Sequence, residues 1–145
     1  MTGALAEDVK AAPTGPQRYS DGYSPRDTAP ARARRDVALC LRTWGLDVLV
    51  DDARLIVSEL VTNAAKHTKT RRIGVSVTRH PDHVRIVVTD TSRTLPAPAT
   101  HTPEDEAEAG RGLQLVDRLT TRWGSKRFRT GKQVWAELPV GKVVS

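Results

Sequence analysis

The 145-residue chain reads as a single α/β domain, a two-layer sandwich with helices on one face of a mainly antiparallel sheet. Three observations predict it. Asp51–His67 (DDARLIVSELVTNAAKH) holds no Gly or Pro and repeats its apolar residues at helical spacing. Arg72–Arg79 (RIGVSVTR) alternates apolar and polar residues with period two, and Val84–Thr89 follows across the turn-forming His80-Pro81-Asp82-His83. A further helical stretch and a further hairpin then complete the order helix, helix, hairpin, loop, helix, hairpin.

Met1 to about Thr28 reads as a flexible tail. Three prolines, three glycines and few large apolar side chains give it little to bury against the entropy of ordering. Within it only Gln17–Ser24 could form a strand, and a weak edge strand at most; the domain proper is expected over residues 29–140. Ala29–Trp44 is the first helix. Asp27 or Thr28 is placed to cap it, Pro30 suits its first turn, and Ala33, Val37, Cys40, Leu41 and Trp44 form its apolar stripe. Gly45 ends it, and Arg32, Arg34 and Arg35 read as its solvent face. In the central helix Asp51 and Asp52 complement the helix start, while Ile56, Val57, Leu60, Val61 and Ala64 share one side.

His80 and His83 flank the first hairpin turn at a spacing that could hold a metal, but only Asp82 accompanies them, so they read as exposed turn residues. Leu95–Ala109 (LPAPATHTPEDEAEA) is a Pro- and acid-rich loop of a length that usually marks a lid, a binding loop or disorder. Leu113–Thr120 is the third helix, with Leu113, Leu115, Val116 and Leu119 inward. Strands near Thr121–Phe128 and Gln133–Leu138 close the chain around Gly131, with Trp123 and Trp135 as sheet-packing residues.

Composition narrows the classes. The single cysteine, Cys40, excludes a disulfide framework or a cysteine-rich zinc site within one chain, and reads as a small buried residue. With no signal-peptide core and no long apolar run, a soluble cytoplasmic protein with no membrane contact is expected. The net charge of +6 is unevenly placed: residues 1–110 balance, whereas residues 111–145 hold eight basic side chains against Asp117 and Glu137. Such a face suits phosphate, an acidic protein or nucleic acid, or is simply solvated. Neither a nucleic-acid-binding motif nor an aromatic stacking platform is apparent, so direct nucleic-acid binding is not expected.

The central helix carries the candidate chemistry. Glu59, Asn63, Lys66 and His67 fall on one strip spanning about 100° of the helical wheel. An asparagine oxygen can ligate Mg²⁺, a glutamate can orient or deprotonate a nucleophile, and Lys66 and His67 could meet anionic oxygens. Taken alone, the strip reads first as the solvated edge of an amphipathic helix. Gly110-Arg111-Gly112, before the third helix, allows backbone N–H groups to approach an anion, though alone this is a weak motif.

ELVTNAAKH resembles the N box of the GHKL ATPase superfamily: Glu, three residues, Asn, then a basic residue or His a turn later. Val87–Pro96 (VVTDTSRTLP) and Glu108–Leu119 (EAGRGLQLVDRL) resemble that family's later nucleotide boxes in the right order. The small single-domain branch, the serine-kinase anti-sigma factors, is the nearest match, over roughly residues 30 to 140. The resemblance implies the Bergerat-type ATP-binding fold, ATP and Mg²⁺, with Asn63 on the metal and Glu59 on the attacking hydroxyl. It also implies Asp90 reading adenine, Lys66 and His67 near nucleotide, and Gly110, Arg111, Gly112 and Leu113 at the phosphates.

Two departures lie at the adenine end. Ser92 and Thr94 stand where the family pattern has glycines, and Gln133 stands where its last strand has a threonine. The expected function is an ATP-binding regulator, a serine/threonine kinase of the anti-sigma type acting in transcriptional partner switching. Its partners would be a sigma factor, an antagonist protein, or both, with a homodimer possible. The alternative is a catalytically inactive nucleotide- or protein-binding switch of the same fold. A sensor histidine kinase core is not expected, because no phospho-acceptor helical segment precedes the first helix.

Overall fold

The computed structural model describes residues 17–66, 70–92, 114–129 and 131–140. A short strand, β1 (Arg18–Tyr23), leads into helix α1 (Ala29–Thr43), a 3₁₀ turn (Asp47–Leu49) and helix α2 (Val50–Ala65). The hairpin β2 (Thr70–Arg79) and β3 (His83–Ser92) follows; then α3, described over 114–119; then the hairpin β4 (Arg122–Phe128) and β5 (Gly131–Pro139). All pairings are antiparallel, in the order β1-β2-β3-β5-β4. The two-layer sandwich is therefore as the patterning predicts.

Alternation explains the core. Ile73, Val75 and Val77 of β2, and Val84, Ile86 and Val88 of β3, are all buried and face the helices. Against them α2 sets Ile56, Val57, Leu60, Val61 and Ala64, and α1 adds Ala33, Val37 and Leu41. Each fully buried aliphatic side chain contributes roughly 1.5–3 kcal/mol, so packing, more than helix propensity, fixes the helices. From α3, Val116 is fully buried and Leu119 packs on the core. Leu113 and Leu95–Ala109 lie outside the described residues, as do residues 1–16 of the expected tail.

Gln17–Ser24 forms a real edge strand. Tyr19 and Tyr23 alternate with exposed neighbours, and the buried Tyr23 hydroxyl donates to Asp36 Oδ2 at 2.7 Å, tying β1 to α1. Burial and this carboxylate push the Tyr23 phenol well above its usual range. Thr28 takes the N-cap position of α1, but its side chain makes no capping bond. Pro30 offers no N–H for such a bond, and Ala29 N–H is instead satisfied by the Arg26 carbonyl at 2.9 Å. Gly45 closes α1 with φ +74°, a left-handed conformation that glycine adopts without penalty.

Other expectations need correction. Arg34 is half-buried and donates to Ser58 Oγ at 2.8 Å, so it bridges α1 to α2 and does not belong to the solvent face. His80 and His83 are half-buried and stacked, centroids 4.5 Å apart, because His83 is drawn between Asp82 (2.7 Å) and Glu137 (3.7 Å). That hydrogen bond holds the Asp82 carboxyl below its usual range. Among the described residues no cluster of three or more His, Cys, Asp or Glu could hold a metal.

Cys40 is buried on α1, and burial pushes its thiol up to about 11. The fold favours the protonated thiol, so this contribution to stability is complete below the unfolded value of about 8.5 and fades as pH climbs through the folded one. At pH 8 a thiol reagent should therefore label the native protein only as fast as it unfolds, and quickly in urea. Rapid stoichiometric labelling of the folded protein would contradict this placement.

Candidate functional site

α2 packs its apolar side on β2, β3 and β5, leaving Glu59 and Asn63 half-buried at the border of that contact, one turn apart. The helix ends at Ala65. Lys66 caps it, its N–H shared between the Thr62 carbonyl at 3.2 Å and the Asn63 carbonyl at 3.3 Å, and its side chain is exposed. His67 lies outside the described residues.

The chain re-enters the sheet at Thr70, which is buried. Its hydroxyl lies 2.7 Å from Asp90 Oδ1 and 3.2 Å from the Ala64 carbonyl. A hydroxyl has one proton, so the bond to Asp90 is the principal one and the Ala64 contact a weaker shared branch. Thr70 thus joins the end of α2, beside Asn63, to the carboxylate on β3.

Asp90 itself is 6% exposed. Parity places it on the helix-facing side, where Val84, Ile86 and Val88 precede it in an apolar column. A carboxylate in that column carries a desolvation cost and is retained only with partners such as Thr70. Asp90 does not end its strand: β3 continues to Ser92, whose backbone pairs with Thr70 across a register irregularity.

The same parity separates Gln133 from Asp90. Asp90 pairs with Lys132, and Gln133 pairs with Thr89, whose side chain belongs to the opposite face. One step along a strand reverses the side a residue faces. Lys132, not Gln133, therefore shares the Asp90 level on the helix side. The alternation of Val134, Ala136 and Leu138 in the sequence carries this parity; the Thr70 contact, spanning 20 residues, has no local signal. Gly110, Arg111, Gly112 and Leu113 lie outside the described residues.

The structure ties Asp90, through Thr70, to the end of α2 next to Asn63, with Glu59 one turn earlier on the same helix. The donor set fits magnesium-bound nucleotide: a neutral amide oxygen and a carboxylate suit a hard cation and a hydroxyl nucleophile, and a buried carboxylate suits an amino group. A cavity of about 220 Å³ between β1 and α1, lined by Tyr23, Arg26 and Arg32 among others, contains none of these residues.

A two-layer sandwich whose buried strand aspartate is tied to the end of the central helix fits a nucleotide-binding ATPase domain. The family model of the histidine kinase-like ATPase domain matches residues 23–138, and the chain belongs to that family. Membership makes it an ATP-binding, kinase-like regulatory domain. No curated protein sequence matches the chain. No helix among the described residues is long and apolar enough to cross a membrane.

Proposed function

We propose that this chain is a cytoplasmic serine/threonine protein kinase of the anti-sigma type, acting in transcriptional partner switching on a sigma factor and its antagonist protein. The observation that carries the reading is the Thr70 link, which holds the buried Asp90 carboxylate against the end of α2 beside Asn63. Bound Mg·ATP supplies the transferable phosphoryl group. Asn63 offers the metal an uncharged oxygen; Glu59 orients the attacking hydroxyl or accepts its proton; Asp90, fixed by Thr70, accepts from the adenine amino group. Positioning and charge neutralisation dominate such transfers, so few side chains suffice.

Magnesium-dependent ATP titration tests it. Calorimetry should show modest binding that weakens when magnesium is withdrawn, because Ser92 and Thr94 replace the glycines of the family pattern. No heat and no thermal shift at millimolar Mg·ATP would remove nucleotide from the account.

One observation favours a binding-only switch instead. The register sets Lys132 beside Asp90 on the helix-facing side, where a cation competes with an incoming amino group for the carboxylate. ATP binding without transfer to the true partner protein would select that reading.

A further inference from the structure

The sheet face turned away from the helices is organised in rows. The pairings place Arg18, Thr78, Arg85, Glu137 and Arg122 side by side on β1, β2, β3, β5 and β4. Beside them runs Ser20, Ser76, Val87, Trp135 and Gly124, and then Gly22, Gly74, Thr89, Gln133 and Lys126. Among the described residues no helix covers this face, and of these three rows only Glu137 is buried. Three arginines and one lysine stand against that single acid.

Glu137 is already matched. Arg85 Nη1 donates to its Oε2 at 2.7 Å, while Arg122 Nε lies 3.9 Å from Oε1. The Arg85 guanidinium also stacks 4.2 Å above the Trp135 ring, and that of Arg122 lies 5.5 Å from it. The indole lies over Gly124, where an added Cβ would stand 2.7 Å from the ring. The Arg85 guanidinium at the centre of the row is therefore set in place before any partner arrives, which reduces the entropy lost on binding.

We infer that this face docks an acidic polypeptide segment of a partner protein, laid across the strands along the Arg18–Arg85–Arg122 row. Four strand spacings make the row about 19 Å long, which an extended chain spans in about six residues. Beside it Ser20, Ser76, Gly74 and Thr89 carry small side chains that leave room for that backbone, while Arg72 lies over Gly22 and Trp135 over Gly124. A second copy of the chain would set arginine against arginine. Single-stranded nucleic acid needs an open aromatic face for base stacking, and the Trp135 ring is taken by Gly124 and Arg85. The inference does not depend on the nucleotide reading.

The test uses the full chain with fluorescein-labelled poly-L-glutamate at low salt, and oligo-dT as the competing probe. Poly-L-glutamate should bind and shift amide resonances of β3, β5 and β4 but not those of α1 and α2. Arg18→Glu with Arg122→Glu should weaken it by about tenfold or more, as expected for charges acting at a contact. The lysine pair Arg18→Lys with Arg122→Lys should retain most of the binding. Arg42→Glu with Arg54→Glu, the same change in net charge on exposed helix positions, should leave it within about twofold, as expected for charges distant from the contact. Equal weakening by both glutamate pairs, absence of binding, tighter binding of oligo-dT, or self-association through this face would each overturn the inference.

Discussion

Glu59→Ala and Asn63→Ala should fail in different ways. In the proposed mechanism Asn63 offers its oxygen to the metal, so Asn63→Ala should weaken Mg·ATP binding itself. Glu59 is assigned there to the nucleophile, so Glu59→Ala should still bind nucleotide while transfer falls by about 10²-fold or more, the usual contribution of a positioned base. Both side chains are half-buried at the rim of the helix–sheet contact, so truncation leaves the core intact. Titration followed by radiolabel transfer to a candidate protein substrate separates the effects. An unchanged transfer rate in Glu59→Ala would refute its catalytic role.

The second large effect is on stability. Ile86 is fully buried on β3, an interior strand, with Val77 and Ala136 as its paired neighbours. Ile86→Ala removes apolar volume where strands on both sides resist collapse, and should cost about 2–5 kcal/mol. Against a total stability of about 5–15 kcal/mol, that loss alone brings the domain near unfolding. Val87→Ala, one step along the same strand but on the open face, should cost about 1 kcal/mol or less. Urea unfolding of the two variants checks the contrast; equal losses would mean that the open face is covered in the folded protein.

How much of this was legible in the chain follows from how local each signal is. α2 and the β2–β3 hairpin stand out because their periodicity runs uninterrupted through the elements. β1 is fainter: its inward residues are the polar-tipped Tyr19 and Tyr23, with exposed Asp21 at the same parity between them, so the alternation carries little hydrophobic contrast. Asp90 was visible through its family box, whereas Thr70 was not, since its role arises only when β2 and β3 pair. The error at Gln133 is one of parity. Motif likeness aligns residues along a chain, but a strand needs its facing pattern counted as well, and Val134, Ala136 and Leu138 assign the inward place to Lys132. Arg34 was misread because a helix wheel does not reveal a second helix alongside.

The position of Asp90 within the sheet has a mechanical consequence. β3 is hydrogen-bonded to β2 on one side and β5 on the other, so the backbone at Asp90 shifts only if a sheet ladder opens. Asn63 instead lies in the last turn of α2 and Glu59 one turn earlier, on a helix end held by buried Val61 and Ala64 and by the Thr70 contact to the Ala64 carbonyl. Asp90 is thus a fixed reference within the sheet, and Thr70 carries that rigidity across to the end of α2 through its bonds to Asp90 and the Ala64 carbonyl.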